Sequence, residues 1–259
     1  MSITIETALT QLKALGDATR ATEAAAYHKV DRIYWGVSVP EIDALAKAWR
    51  PELTLEERVD LAAALWDSDI HEAKVAAAKL LTQARIKADE PVWELIASWV
   101  PGFDAWAIAD HACKAGEKRL EADPERLDAL EDWLESENMW TRRAALVMTH
   151  PFTKSNNPKP AELAARERVL SWCVFLAEDR DWFIQKAIAG WLRDLSKHDP
   201  ARVTQWLRGY GPDLKKFARI EAAKYLPELQ AVPAEALAAD EPAEEAAPVT
   251  DAEASGGDI

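Results

Sequence analysis

Apolar residues recur at helical spacing along almost the whole chain, and the strict alternation of a strand persists nowhere. Glycine, the usual residue of tight turns in β proteins, occurs only nine times in 259 residues. The pattern predicts an all-α protein with helices near 3–15, 19–28, 40–49, 54–66, 69–85, 90–99, 103–114, 123–135, 139–150, 159–177, 181–197, 200–208 and 213–226. Pro40, Pro51, Pro91, Pro101, Pro124 and Pro200 fall at helix entries or between helices, where a missing N–H is tolerated. Thr54, just before LEERVDLAAALW, reads as a helix cap.

The helices pair about every 35–45 residues, the period of HEAT- or armadillo-like repeats. Such repeats stack into an α-α superhelix, a solenoid with a continuous concave surface suited to a groove. A compact irregular bundle is the alternative. From about Ala231 the chain becomes rich in Ala, Glu and Pro and holds no aromatic residue. Such a segment cannot bury enough apolar surface to offset its ordering entropy. The expected organisation is one helical-repeat domain over 1–230 and a disordered acidic tail over 231–259.

Several classes of function are excluded by what is missing. There is no phosphate-loop motif, no dinucleotide fingerprint and no HExxH. No apolar run is long enough to cross a bilayer, and the N-terminus lacks the basic start of a secretion signal. Cys113 and Cys173 stand far apart without metal spacing and read as buried, reduced thiols of a cytoplasmic protein. Trp66-Asp67-Ser68-Asp69-Ile70-His71-Glu72 gathers metal-ligand types, but its place between helices favours capping. No metal and no cofactor are expected.

The net charge of −14 argues against a nucleic-acid partner until it is divided along the chain. Residues 1–137 carry 15 basic and 27 acidic residues, residues 138–227 carry 16 and 9, and residues 228–259 carry none and 9. The middle segment is therefore net positive by seven and could face an anion. An uneven spread of solvated charges is the plainer reading.

Four positions carry a chemical suggestion. Trp106 and Asp110 are four apart in FDAWAIADHACK and so share a helix face. A packed tryptophan with a solvated aspartate is the competing reading of that pair. Arg143, in MWTRRAALVM, flanks a stripe of Trp140, Ala144, Val147 and Met148; it could grip a phosphate or simply be surface. Tyr27 ends a helix, in the core or lining a groove. In DWFIQKAIAGWLRDLSKHDP, Phe183, Ile184, Ala187, Ile188, Trp191, Leu192 and Leu195 make the buried stripe. Lys186, Gly190, Arg193 and Lys197 line the opposite side, a basic stripe with a gap at Gly190.

The segments YHKVDRIYWGVSVPEIDALAK, WDSDIHEAKVAAAKLL, FDAWAIAD, NMWTRRAALV and WFIQKAIAGWLRDLSKHDP resemble, in order and spacing, those of the AlkD-type DNA alkylation repair glycosylases over roughly residues 8–226. The resemblance implies a monofunctional N-glycosyl hydrolase of base excision repair. Such an enzyme removes cationic alkylpurines, 3-methyladenine and 7-methylguanine, from double-stranded DNA without flipping the base. It implies Asp110 as the catalytic carboxylate, Trp106 and Tyr27 as aromatics around the lesion, and Arg143 as a DNA contact. It also implies a monomer without cofactor, cytoplasmic and nucleoid-associated as in bacteria. The family's second groove tryptophan falls on Gly190; Trp191, one residue on, is rotated about 100° toward the core. A catalytically silent DNA-binding or protein-interaction module of the same family is the alternative.

Overall fold

The computed structural model describes residues 3–230. The expected acidic tail lies outside them. Fourteen α-helices are present among the described residues: α1 (Ile5–Ala14), α2 (Ala18–His28), α3 (Val39–Trp49), α4 (Leu55–Asp67), α5 (His71–Leu81), α6 (Glu90–Trp99), α7 (Trp106–Ala122), α8 (Leu127–Glu131), α9 (Met139–Val147), α10 (Pro160–Phe175), α11 (Trp182–Ser196), α12 (Pro200–Tyr210), α13 (Lys216–Ala222) and α14 (Pro227–Gln230). The only extended pairing described is a single parallel bridge between Ile33 and Ile70.

Helices α3, α5, α7, α9, α11 and α13 pack one on the next as a continuous row. Helices α4, α6, α10 and α12 pack against members of that row. This is a helical-repeat solenoid, and its period is written in its ion pairs. Arg32 bonds Asp69, Arg126 bonds Asp89, Arg142 bonds Asp179 and Arg168 bonds Glu131, each pair 37 residues apart.

Several connections between helices are held by buried or half-buried polar side chains of the following repeat. Glu72, 2% exposed, accepts the backbone N–H groups of Trp35 (3.0 Å) and Gly36 (2.7 Å). Arg119, fully buried, donates to the carbonyls of Gln83 and Ala84 and to Asp89. Asn138 donates to the carbonyls of Pro101 and Phe103, and Thr141 to that of Val100. Arg166 donates to the carbonyls of Phe152 and Ser155, and Gln185 to those of Ala177 and Asp179. Loop backbone groups shielded from water must find partners, and these side chains supply them.

The helix boundaries follow the sequence pattern with instructive exceptions. Thr54 makes a capping box with Glu57, as its position suggests. The helix expected to stop at 114 runs on to Ala122. Gly116 lies within it against the Met148 side chain, where an added Cβ would lie 2.5 Å from Sδ. The helix expected over 123–135 is instead a 3-10 turn, a short α8 and a second 3-10 turn, with Leu127, Leu130 and Leu134 buried. The last long helix shortens to Lys216–Ala222.

The capping role expected in the 66–72 segment is corrected. The N-cap of α5 is Ile70 and its side chain makes no cap bond, while Ser68 Oγ donates back to Leu65. Asp69 takes a left-handed φ of 53°, which aspartate tolerates, and pairs with Arg32. Among the described residues, no group of three His, Cys, Asp or Glu could hold a metal ion.

Gly36 shows why its loop has only one solution. Its φ is +75°, and an added Cβ would collide with the backbone of Asp17 and Ala21 at the start of α2. Glu72 fastens that loop from the other side. Replacing Glu72 with Ala should lower the unfolding free energy by about 2–4 kcal/mol, because two N–H groups lose a charged acceptor. Glu72→Gln, which keeps one acceptor oxygen, should lose less; chemical denaturation checks both.

Candidate nucleic-acid site

The row of stacked helices begins, helix after helix, with an aromatic ring. His71 and Trp106 open α5 and α7, Trp140 is the second residue of α9, Trp182 opens α11 and Phe217 is the second residue of α13. Trp140 lies against Phe183 with centroids 4.6 Å apart, and Trp182 stacks on Phe217 at 5.9 Å. Those contacts set the N-termini of α9, α11 and α13 side by side. A helix N-terminus carries a partial positive charge and N–H groups that can meet an anion; Asn138 and Asp181 already cap one N–H each at α9 and α11, while α5, α7 and α13 have no side-chain cap.

The structure brings four of the sequence-predicted residues together. Trp106 and Asp110 lie one turn apart on α7. Trp106 meets Tyr27 edge-on, with centroids 6.0 Å apart and planes at 90°. The Asp110 carboxylate takes a fork from Arg143 of α9, Nη1 to Oδ1 at 2.5 Å and Nη2 to Oδ2 at 3.4 Å. The plain reading, a packed tryptophan with a merely solvated aspartate, does not describe this pair. The side chain of Asp110 is 41% exposed and that of Arg143 14%, so the carboxylate is both anchored and open to solvent. Tyr27 is 41% exposed.

Arg143 is thus neither free surface nor an isolated cation. Its partner is the acid, and its guanidinium also lies 5.8 Å from the Trp140 ring centre. Trp140 and Val147, expected in the buried stripe of α9, are only half-buried, whereas Ala144 and Met148 are buried as expected.

Helix α11 follows its pattern closely. Ile184, Ala187, Ile188, Trp191, Leu192 and Leu195 are buried, and Phe183 is half-buried against Trp140. Trp191 is fully buried, as the one-residue offset from Gly190 predicts. An added Cβ at Gly190 would meet nothing within 4 Å, so the position is open space.

The basic stripe splits in two. Lys186 is exposed, its ammonium 4.7 Å from the Trp182 ring centre, with no carboxylate in ion-pair range among the described residues. Its pKa is lowered, by burial first and then by Arg143. Arg193 instead bonds Glu221 (2.5 Å) and Asp194 (3.2 Å). Lys197 bonds Asp194 (2.9 Å) and lies over Tyr225. The even row of four read from the sequence therefore holds one unneutralised cation, one gap and two cations already paired.

Residues not picked out from the sequence complete the surroundings. Arg32, its side chain 4% exposed, bonds Asp69 and also Asp104, two residues before α7. His28, Tyr34 and His71 pack behind Trp106. The abundance of tryptophan at helix starts was the available signal for Trp140 and Trp182; histidines scattered through the sequence gave none.

Fold and site define a helical-repeat protein with an exposed carboxylate–guanidinium pair, flanked by aromatic rings, on an edge of helix N-termini. The family model described as DNA alkylation repair enzyme matches residues 8–226, and the chain belongs to that family. A search of curated proteins found no match. Among solved structures, a predicted DNA alkylation repair enzyme from Enterococcus faecalis is 23% identical with a TM-score of 0.68, over 82% of this chain and 97% of that one. AlkD2 from Streptococcus mutans is 18% identical with a TM-score of 0.62, over 86% and 100%. The protein smu.31 from Streptococcus mutans is 21% identical with a TM-score of 0.58, over 72% and 92%. These likenesses concern the fold.

The division of the basic stripe has a measurable consequence. Lys186→Ala should reduce the slope of log binding constant against log salt by roughly one for duplex DNA. Arg193→Ala should leave that slope nearly unchanged, because its charge is already spent on Glu221 and Asp194. Equal effects of the two substitutions would contradict the distinction.

Proposed function

We propose that the protein is a DNA glycosylase that excises cationic alkylated purines, such as 3-methyladenine and 7-methylguanine, from double-stranded DNA. The observation that carries this reading is the Asp110–Arg143 fork beside the Trp106–Tyr27 pair. It places an exposed, charge-paired carboxylate against aromatic rings at the helix-N-terminal edge of the solenoid.

A purine alkylated at N3 or N7 already carries positive charge. When its N-glycosidic bond breaks, the electron pair goes to the purine and neutralises it, leaving an oxocarbenium-like sugar. Asp110 stabilises that sugar electrostatically and orients a water molecule, whose oxygen adds to C1′ and which gives up one proton through the Asp110 carboxylate to bulk water. Little general acid is needed, because the leaving base is neutral once released. Trp106 and Tyr27 offer ring faces that attract a cationic base and give an undamaged, neutral base no such gain. Arg143 uses two donors on Asp110 and keeps others for a backbone phosphate. Lys186 and the N-termini of the row hold the DNA backbone along this edge.

The openness of the site supports action without base flipping, since Tyr27 and the Asp110 carboxylate both face solvent. Hydrolysis by an aspartate needs no cofactor and leaves the strand uncut, so a monofunctional enzyme acting as a monomer on chromosomal DNA in the cytoplasm is the form this reading takes.

The open space at Gly190 favours one other reading, a DNA-binding module of the same family without catalysis. One experiment separates the two: release of free base from duplex containing 7-methylguanine under single turnover. Asp110→Asn should reduce release by at least ~100-fold while DNA affinity survives. Gly190→Trp, entering unoccupied space, should keep or raise the wild-type rate. Binding without release in the wild type, cured by Gly190→Trp, would establish the silent module.

A further inference from the structure

Tyr27 and Trp106 do not hold one another in place unaided. The ring of His28 stands against both, 5.2 Å from Tyr27 and 5.6 Å from Trp106. Behind it His71 stacks at 4.7 Å with planes 25° apart, and Tyr34 stacks on His71 at 4.9 Å. The stack spans three pieces of chain: the end of α2, the loop after it and the first residue of α5. Helix α2 has no fully buried residue of its own, and the rings at its end are among the contacts that place Tyr27.

The Nδ1 atoms of His28 and His71 are both buried without a hydrogen-bond partner. An unpaired buried nitrogen is costly, and a phenyl ring would fill the same space without that penalty. Unlike a phenyl ring, an imidazole in this place can also gain a charge, so the stack serves the site only in its neutral form.

Resting on the reading of the site as a cationic-purine glycosylase, we propose that His28, backed by His71, is a positioning residue. It is a neutral imidazole that holds Trp106 and Tyr27 beside Asp110 and must stay uncharged for a cationic purine to be accepted. A protonated His28 would set its own positive charge against the two rings, compete for their attraction to a cation and repel the lesion's charge.

The surroundings keep the stack neutral. Burial first, and Arg32 second, hold the His28 pKa below its ordinary value. His71 is pushed down to about 3 by burial, then by His28, Arg32 and His111. In the loop after α2, Arg32 brings a positive charge whose counter-ions Asp69 and Asp104 bond to it. On α5, the Glu72 carboxylate is bound to the Trp35 and Gly36 N–H groups, and Lys74 pairs with Asp69. On α7, Asp110 is bonded to Arg143, and His111 is itself held to about 4. The carboxylates nearby thus already have partners. As pH falls through the depressed His28 pKa, the imidazolium forms and the rate should fall with it.

The test uses the full chain and 7-methylguanine duplex, with single-turnover rates between about pH 5 and 7.5 and a histidine NMR titration. His28→Ala should slow release roughly tenfold at neutral pH with DNA affinity held within about twofold, because only the geometry of the reacting site is lost. His28→Phe should restore the neutral rate and move the acid limb to lower pH. In wild type, the NMR pKa of His28 should coincide with that limb. A wild-type rate in His28→Ala would overturn the positioning role, and an unmoved acid limb in His28→Phe would overturn the requirement for neutrality. His28 titrating at or above 6.5 would overturn the proposal even if no base were released. Absence of release in wild type, with His28 titrating low, would instead count against the glycosylase reading itself.

Discussion

The structure depends on the way buried and half-buried polar side chains fasten five of the inter-helix connections to the repeat that follows. Glu72, Arg119, Asn138, Arg166 and Gln185 each bond backbone groups of an earlier loop. Apolar packing alone would let one helix pair slide or rotate on the next, because apolar contact is not directional. A buried acceptor facing two particular N–H groups has one satisfactory register, and leaving it unsatisfied is expensive. The row from α3 to α13 is therefore not only stacked but indexed.

Indexing matters because no single repeat contains the site. Tyr27 comes from α2, Trp106 and Asp110 from α7, Arg143 from α9 and Lys186 from α11. The Asp110–Arg143 fork joins residues 33 apart in sequence and closes only if α7 and α9 keep their relative height. Gly116 of α7 leaves room for the side chain of Met148, the C-cap residue of α9. The loop carrying Arg32 and Tyr34 is fixed by Gly36 on one side and Glu72 on the other, and it supports the rings behind Trp106.

The fold was largely legible in the sequence because helical periodicity and capping are local signals. Thr54 and Glu57 announce their helix within four residues. The failures were also physical. The helix expected to end at 114 runs on through Gly116, which lies against Met148, and the one expected over 123–135 is a short α8 between two 3-10 turns, with three leucines buried. Of the site, Trp106, Asp110, Arg143 and Tyr27 were legible as candidates from spacing and resemblance. Their joining was not, because ion-pair partners 33 residues apart leave no local trace. The basic stripe on α11 read as uniform for the same reason: Glu221, which neutralises Arg193, belongs to another helix. His28, His71 and Tyr34 could not be singled out, since stacking among three separated segments has no signature in any one of them.

An overall charge of −14 sits with a DNA-facing role because the surplus acid lies mainly outside residues 138–227. On the proposed reading the site selects by charge: a carboxylate and neutral ring faces act on a base that carries its own positive charge. The measurement to make is release of cationic 7-methylguanine and of neutral hypoxanthine from otherwise identical duplexes. Release of the first is expected, and none of the second above the uncatalysed rate. Comparable release of both would mean that the site activates the leaving base itself, and would contradict that reading.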